Sequence, residues 1–216
     1  LLPPKDQQAE IAELLWALDN SEEAIKLTHE RTRIVRDSLF NQRLFISGSD
    51  VTEMSLNDVL VHVQYGISES LSETGDTPVL RMNNVSNGEV KLSDLKYFEF
   101  SADEEEKYLL NRGDILFNRT NSFELVGKSG LFDSDEKCSF ASYLLRLVCD
   151  EAMVRPDYLA FYLSTKRGLH EIHRFRSPGV SQSNINAKDL RRVKTPVIGL
   201  DEQARLINVD CIALGP

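Results

Sequence analysis

The 216-residue chain carries 25 Lys and Arg against 34 Asp and Glu, a formal charge of −9, with 41% hydrophobic and 27% charged residues. That length suits one domain with an appendage or two small domains, and the composition is that of an ordinary globular chain. No apolar run approaches the ~18 residues of a membrane span, the opening Pro-Pro stretch lacks the apolar core of a signal peptide, and the acid excess excludes an affinity for nucleic acid carried by overall positive charge. Cys138, Cys149 and Cys211 have no metal-ligand spacing, and so sparse and odd a set fits a reducing cytoplasm. The absence of an initiator Met is what a trimmed or excised piece would show.

Taken in chain order, residues 6 to 45 contain neither Gly nor Pro, and Pro3-Pro4 with Asp6 mark a helix start. Ile11, Leu18, Ile25, Thr32 and Leu39 recur every seven residues, with Leu14, Ser21, Thr28 and Val35 three positions on. This seam predicts one long helix over residues 1–46, ended by Ser47 to Asp50. At 1.5 Å per residue it is a rod of roughly 60 Å. Such a helix is unstable alone and outruns a domain of ~150 residues, so pairing with another helix in a coiled coil is expected. The seam therefore reads as a helix-pairing surface, with small polar residues that weaken it and fix its register.

From about Val51 to Val197 short β-rich runs alternate with turn signals. "VLVHVQY", "TPVLRMNNVSNG", "KYFEF", "RGDILFNRT", "KSGLF" and "ASYLLRLVC" read as strands and turns, and "ADEEEKYLL" as one or two helical turns. Residues 155 to 175, with Pro156 in the first turn, read as one amphipathic helix. A loop, a helical turn and a final strand follow up to Val197. A second helix then begins at "LDEQARLINV", while "DCIALGP" keeps no pattern and its Gly-Pro would stop a helix. The expected class is α+β: a mixed α/β domain at 51–197, a long coiled-coil-type helix before it, and the truncated start of a second helix at 198–216. Charge is uneven along the domain. Residues 69 to 107 hold ten acidic against four basic side chains, and residues 166 to 194 hold eight basic against two acidic.

The start and the end share a phrase. Displaced by 195 positions, Asp6, Gln8, Ala9 and Ile11 fall on Asp201, Gln203, Ala204 and Leu206. The order helix, domain, start of helix is one unit and a fraction of a repeat.

Catalytic constellations are missing from the pattern. There is no GxGxxG and no Walker-type phosphate loop, and no Gly-rich cofactor loop joins an apolar-Pro-Pro-aromatic motif as an amino-methyltransferase needs. His170, Glu171 and His173 lack a companion HExxH or CxxC. Asp157 and Lys166 lack the second carboxylate that would share a magnesium ion. No metal or cofactor is expected, and the chain reads as a binding protein. Three loops supply the candidates: Arg81, Asn83 and Asn84; Arg119, Asn121, Ser122 and Lys128; and Arg174, Arg176, Ser181, Gln182, Ser183, Asn184 and Asn186. Arg pairs with guanine, and Asn or Gln with adenine, through two hydrogen bonds at the major-groove edge, while Ser and Lys suit phosphates. Asn, Ser and Gly also simply make turns, and the two readings stand side by side.

"PPKDQQAEI" and "IGLDEQARLI" resemble the PPL-x-EQ-x-x-I phrase of type I restriction-modification specificity subunits. "RGDILFNRTNSFELVGKSGLF" is similar to that family's GDIL…R…VGK stretch. "RPDYLAFYLST" and "VSQSNINAKDLRRVKTPV" are similar to its closing helix and its Q-x-N-I-N…L…P stretch. The order and spacing match from Pro3 to about Ile207. Lys5 stands where an apolar residue is usual, Gln7 where Glu is, and Ile198-Gly199 replaces the second Pro-Pro.

The resemblance implies a non-catalytic subunit in which each target-recognition domain reads half of a split DNA sequence. Two long helices would pack antiparallel as a spacer, methyltransferase (M) subunits would dock, and restriction (R) subunits would join. It implies that this chain holds one recognition domain and pairs through its helix with a second half or with a copy of itself. A recognition subunit of a type II system with fused modification and cleavage, and a coiled-coil module that binds only protein, are the alternatives.

Overall fold

The computed structural model describes residues 3–46, 50–178 and 182–213. Ser47 to Ser49 of the expected helix stop, Ser181 of the third candidate loop and the terminal Gly-Pro lie outside them. In chain order the elements are α1 (Lys5–Ile46), β1 (Thr52–Ser55), α2 (Leu56–Val59), β2 (Leu60–Tyr65), β3 (Thr77–Leu80), a 3-10 turn (Met82–Asn84), β4 (Val85–Ser86), β5 (Gly88–Val90), β6 (Lys96–Phe98) and α3 (Ala102–Tyr108). β7 (Ile115–Asn118), β8 (Thr120–Asn121), β9 (Ser129–Leu131), β10 (Ser139–Phe140), β11 (Leu144–Cys149), α4 (Pro156–Ser164) and α5 (Lys166–His173) follow. The last are β12 (Ser177–Pro178), β13 (Ser183–Asn184), α6 (Ala187–Leu190), β14 (Lys194–Val197) and α7 (Leu200–Ala213). This is a mixed helix-and-sheet protein with one long helix at its start. The chain divides into two units, Leu1–Ser47 with Asp210–Pro216, and Gly48–Val209.

α1 runs unbroken for 42 residues, about 63 Å at the standard rise. Its seam is open along most of its length: Ile11, Leu14, Leu18, Ile25 and Val35 are exposed, as are Leu15 and Trp16. Thr32 and Leu39 are half-buried, and Phe40 and Leu44 are buried. Ser21 and Thr28 turn their hydroxyls back onto the carbonyls of Ala17 (2.8 Å) and Ala24 (2.9 Å), the local bond that lets these residues sit inside a helix.

In the larger unit a six-stranded sheet runs in the order β2-β11-β7-β9-β5-β4. All four residues of β7 are buried, as suits a strand at the middle of a sheet covered on both faces. Leu80, Val85, Leu110, Leu116, Phe132, Cys138, Phe140 and Leu144 form one buried apolar cluster. A three-stranded sheet, β10-β3-β6, carries a smaller cluster of Ile67, Val79 and Ala141 with Phe98, Phe100 and Tyr108. α4 packs on β9 and β5. There Gly130 is needed for close approach, because a Cβ would lie 2.3 Å from the Glu89 carbonyl oxygen.

The single helix expected over 155 to 175 is two. Thr165 is extended (φ −70°, ψ 159°) and separates α4 from α5. Its hydroxyl donates to the Tyr162 carbonyl (2.6 Å) and accepts from the Gly168 amide (3.1 Å), so it closes one helix and caps the next. The periodicity of the apolar residues runs through this joint, which hides it in the sequence. A second correction falls at the end, where α7 continues through Asp210 to Ala213 instead of losing its pattern.

The shared phrase folds the same way twice. The Gln8 amide nitrogen donates to Pro4 O (2.9 Å) and its Nε2 to Pro3 O (2.6 Å). At the second copy the Gln203 amide donates to Gly199 O (3.0 Å) and its Nε2 to Ile198 O (2.7 Å). The surroundings differ. Gln8 is exposed, whereas Gln203 is fully buried. There it also donates to Met153 O (3.1 Å) and accepts the Arg155 amide at Oε1 (2.8 Å). That carboxamide joins the start of α7 to the residue that caps α4.

Candidate nucleic-acid interface

Two candidate loops converge. β8 and β13 pair antiparallel, with Asn121 opposite Ser183 and Thr120 opposite Asn184, and β12 extends them to a three-stranded patch. Arg119, just before β8, donates from Nη2 to Asn184 Oδ1 (3.1 Å) and from Nη1 to Ser142 O (3.3 Å). Its guanidinium sits 5.1 Å from the centre of the Tyr65 ring, a stacked, pre-organised arrangement. Arg176 lies 3.6 Å over the Phe123 ring and donates to the Phe123 carbonyl (2.7 Å). Tyr65, Phe123, Leu125 and Tyr143 are exposed, so the patch alternates rings with guanidinium and amide groups. Asn121 Oδ1 accepts the Ser122 amide (2.8 Å), Gln182 is exposed and Lys128 is half-buried. Underneath, the Asn118 carboxamide, Thr120 Oγ1 and Ser129 Oγ are buried without a hydrogen-bond partner among the described residues. Natural folds tolerate few such groups.

Other candidates hold the scaffold. Asn84 is buried; its Oδ1 accepts the Arg81 amide, and its Nδ2 donates to Lys91 O and Ser93 O. A buried carboxamide with three backbone partners cannot reach a base edge in this arrangement. Arg81 and Asn83 both donate to Asp94 Oδ2 (3.0 Å each). Asn186 caps α6 by accepting the Asp189 amide (2.9 Å). Arg174 pairs with Glu171 (2.9 Å). The first candidate loop is thus not brought to the Arg119 patch by any of these bonds.

The motif residues explain the patch's support. Asp114 accepts the Asn111 amide (2.7 Å) and forms a largely buried ion pair with Arg146 (2.7 Å); burial raises its carboxyl above the ordinary range, against the pull of Arg146 and that amide. Gly127 has φ +94°, and a Cβ there would lie 2.7 Å from Ile172 Cγ2. Only glycine lets residues 118 to 128 fold back onto α5 this way. His173 locks the same loop, with Nε2 2.9 Å from Val126 O.

Burial holds the His173 imidazolium pKa below its usual value, and Arg176 adds to this, although the Val126 bond opposes it. The neutral ring, donating from Nε2, is the form the fold favours. Its contribution is present above the unfolded value of about 6.5 and is lost as pH falls below it. His173→Gln, which keeps a donor but does not titrate, is expected to flatten the dependence of the denaturation midpoint on pH across that value. An unchanged slope would show that His173 does not carry it.

Among the described residues, no group of three or more His, Cys, Asp or Glu side chains could hold a metal ion, and no helix is long and apolar enough to cross a membrane.

A family model described as the type I restriction modification DNA specificity domain matches residues 48–207. The chain belongs to that family. The EcoKI type I restriction enzyme specificity subunit of Escherichia coli K12 is 25% identical over 159 residues, 72% of this chain and 34% of that protein. A Methanocaldococcus jannaschii protein, provisionally named the MjaX type I restriction enzyme specificity subunit, is 27% identical over 157 residues, 71% of this chain and 37% of that protein. The chain therefore spans about a third of the length of these curated relatives. In fold it is similar to the HsdS subunit from Thermoanaerobacter tengcongensis (TM-score 0.56, 19% identity, 97% of this chain and 51% of that one). It is also similar to the type I restriction-modification S subunit from M. genitalium (TM-score 0.54, 16% identity, 75% and 38%).

Proposed function

We propose that residues 51–197 are a target-recognition domain that reads one half of a split double-stranded DNA sequence. The reading is non-catalytic and takes place within a type I restriction-modification assembly. The observation that carries it is the Arg119–Asn184 pair on the β8-β13 patch. A guanidinium and a carboxamide, the two groups suited to guanine and adenine edges, are held side by side between exposed rings. Asn121, Ser122, Gln182, Lys128 and Arg176 are the further candidates for base or phosphate contacts, whereas Arg81 and Asn83 are engaged by Asp94 and are not assigned to the reading surface.

α1 (region 1–46) acts as the spacer, its open seam pairing with the matching helix of a second half or of another copy. The start of a second such helix occupies 198–216. Methyltransferase subunits, then restriction subunits, assemble on this frame and supply the chemistry, with no cofactor bound here. The buried free thiols of Cys138 and Cys149 fit a cytoplasmic setting.

A binding selection with the chain and its methyltransferase tests this: it should enrich a split motif. Enrichment of none would sink the reading and favour a protein-only module. Removing seven residues from the middle of α1 keeps the seam in register and shortens the helix by about 10.5 Å, about three base pairs. The enriched half-site is expected to stay the same while the preferred gap changes by about that number. An unchanged gap would rule out the spacer role.

A further inference from the structure

On the same unit an open groove of about 760 Å³ runs between the end of α5, α6 and the start of β14. Arg174, Lys188, Arg191, Arg192 and Lys194 line it against one carboxylate, Glu171, in a chain whose net charge is −9. Lys188 and Lys194 are exposed and make no ion pair among the described residues. Arg191 reaches the neutral Asn57 Oδ1, at 3.4 Å, and makes no ion pair among the described residues. Arg174 and Arg192 pair with Glu171 and Asp189 three residues away on the surface. Such exposed pairs are weak and can be exchanged for a stronger anion. Arg192 also lies over the Phe175 ring at 5.0 Å, and Phe175 lines the groove with it.

One residue links the Arg119 patch to a residue that lines the groove, Ala187. The Tyr65 ring carries Arg119, and its hydroxyl accepts the amide of Ala187, the first residue of α6 (3.1 Å). The charge and this link together suit the groove to the continuation of a polyanion held at the patch. We propose that the α5–α6–β14 groove seats the phosphodiester backbone of the DNA that flanks the bases read at Arg119 and Asn184. It fixes the register of the duplex without reading sequence, as phosphate contacts do. This rests on the DNA-reading role proposed above.

The test uses the full chain carrying Lys188→Gln, Arg191→Gln and Lys194→Gln together, with its melting temperature measured as a folding control. Affinity is followed over a salt series for two duplexes, one of randomised sequence and one carrying the motif that the unaltered chain enriches. Both affinities are expected to fall by the same factor, roughly tenfold or more at low salt, and the slope of log affinity against log salt to shrink by about 2 to 3. The enriched motif should not change. A second variant, Glu171→Gln, removes the competing carboxylate and is expected to tighten both duplexes. The proposal is overturned if slope and affinities are unchanged while the unaltered chain still enriches its motif, since the reading then stands without the groove. It is equally overturned if DNA binding is intact but a co-expressed methyltransferase no longer co-purifies, which would make the groove a protein-docking surface. Failure of the unaltered chain, together with its methyltransferase, to enrich any motif would instead remove the reading itself.

Discussion

Gln203→Leu is expected to destabilise the domain by about 3 kcal/mol, while Gln8→Leu, the same change in the same phrase, should shift stability by no more than about 0.5 kcal/mol. The first substitution keeps the volume but leaves the Arg155 amide and the Met153 and Ile198 carbonyls without the carboxamide that joins them. A buried group stripped of its partner costs about 1–3 kcal/mol, and the Arg155 amide lies against a side chain that is 0% exposed. A loss of this size is a large fraction of a typical folding free energy of ~5–15 kcal/mol. The second substitution removes one bond on an exposed first turn, where water replaces it. Urea denaturation of the two variants beside the parent decides the matter, and equal effects would mean that the phrase acts only as a helix start.

The second large effect concerns recognition. Arg119→Ala is expected to reduce discrimination at one or two adjacent base pairs by about 1–3 kcal/mol, roughly ten- to a hundredfold, with the other positions of the half-site preserved. Asn184→Ala should relax the same or the neighbouring position, because Arg119 Nη2 and Asn184 Oδ1 are 3.1 Å apart and would address one step of the groove. Selected-sequence profiles of the variants, compared position by position, measure this. A uniform loss across all positions would show that Arg119 holds the fold, through Ser142 O and the Tyr65 ring, and does not read.

The long helix was legible because a seven-residue spacing without Gly or Pro admits few other structures. The break at Thr165 was not, since a hydroxyl that ends one helix and caps the next leaves the apolar period intact. Among polar loop residues, type alone could not separate contact from scaffold. Asn84, Asn186 and Asn184 look alike in sequence, yet one is buried with three backbone partners, one caps α6 and one faces Arg119. The repeated phrase carried a signal for Gln203, a polar residue kept at both copies, although which copy is buried depends on a loop 50 residues away. Tyr65 and Tyr143 sit in strand runs and Phe123 in a connection, and nothing in the sequence sets them apart. Only the pairing of β8 with β13 puts such rings around one patch. Lys188, Arg191, Arg192 and Lys194 contributed to the basic stretch at 166 to 194, but their gathering in one groove depends on how α6 follows β13.

Trp16 is the chain's single tryptophan and stands 71% exposed on α1. Its indole emission therefore comes from the helix alone, in a background where no other residue of the chain fluoresces at that wavelength. Whatever dries that face of α1 shifts the spectrum to the blue, so the unlabelled protein carries its own optical probe for the helix pairing proposed above.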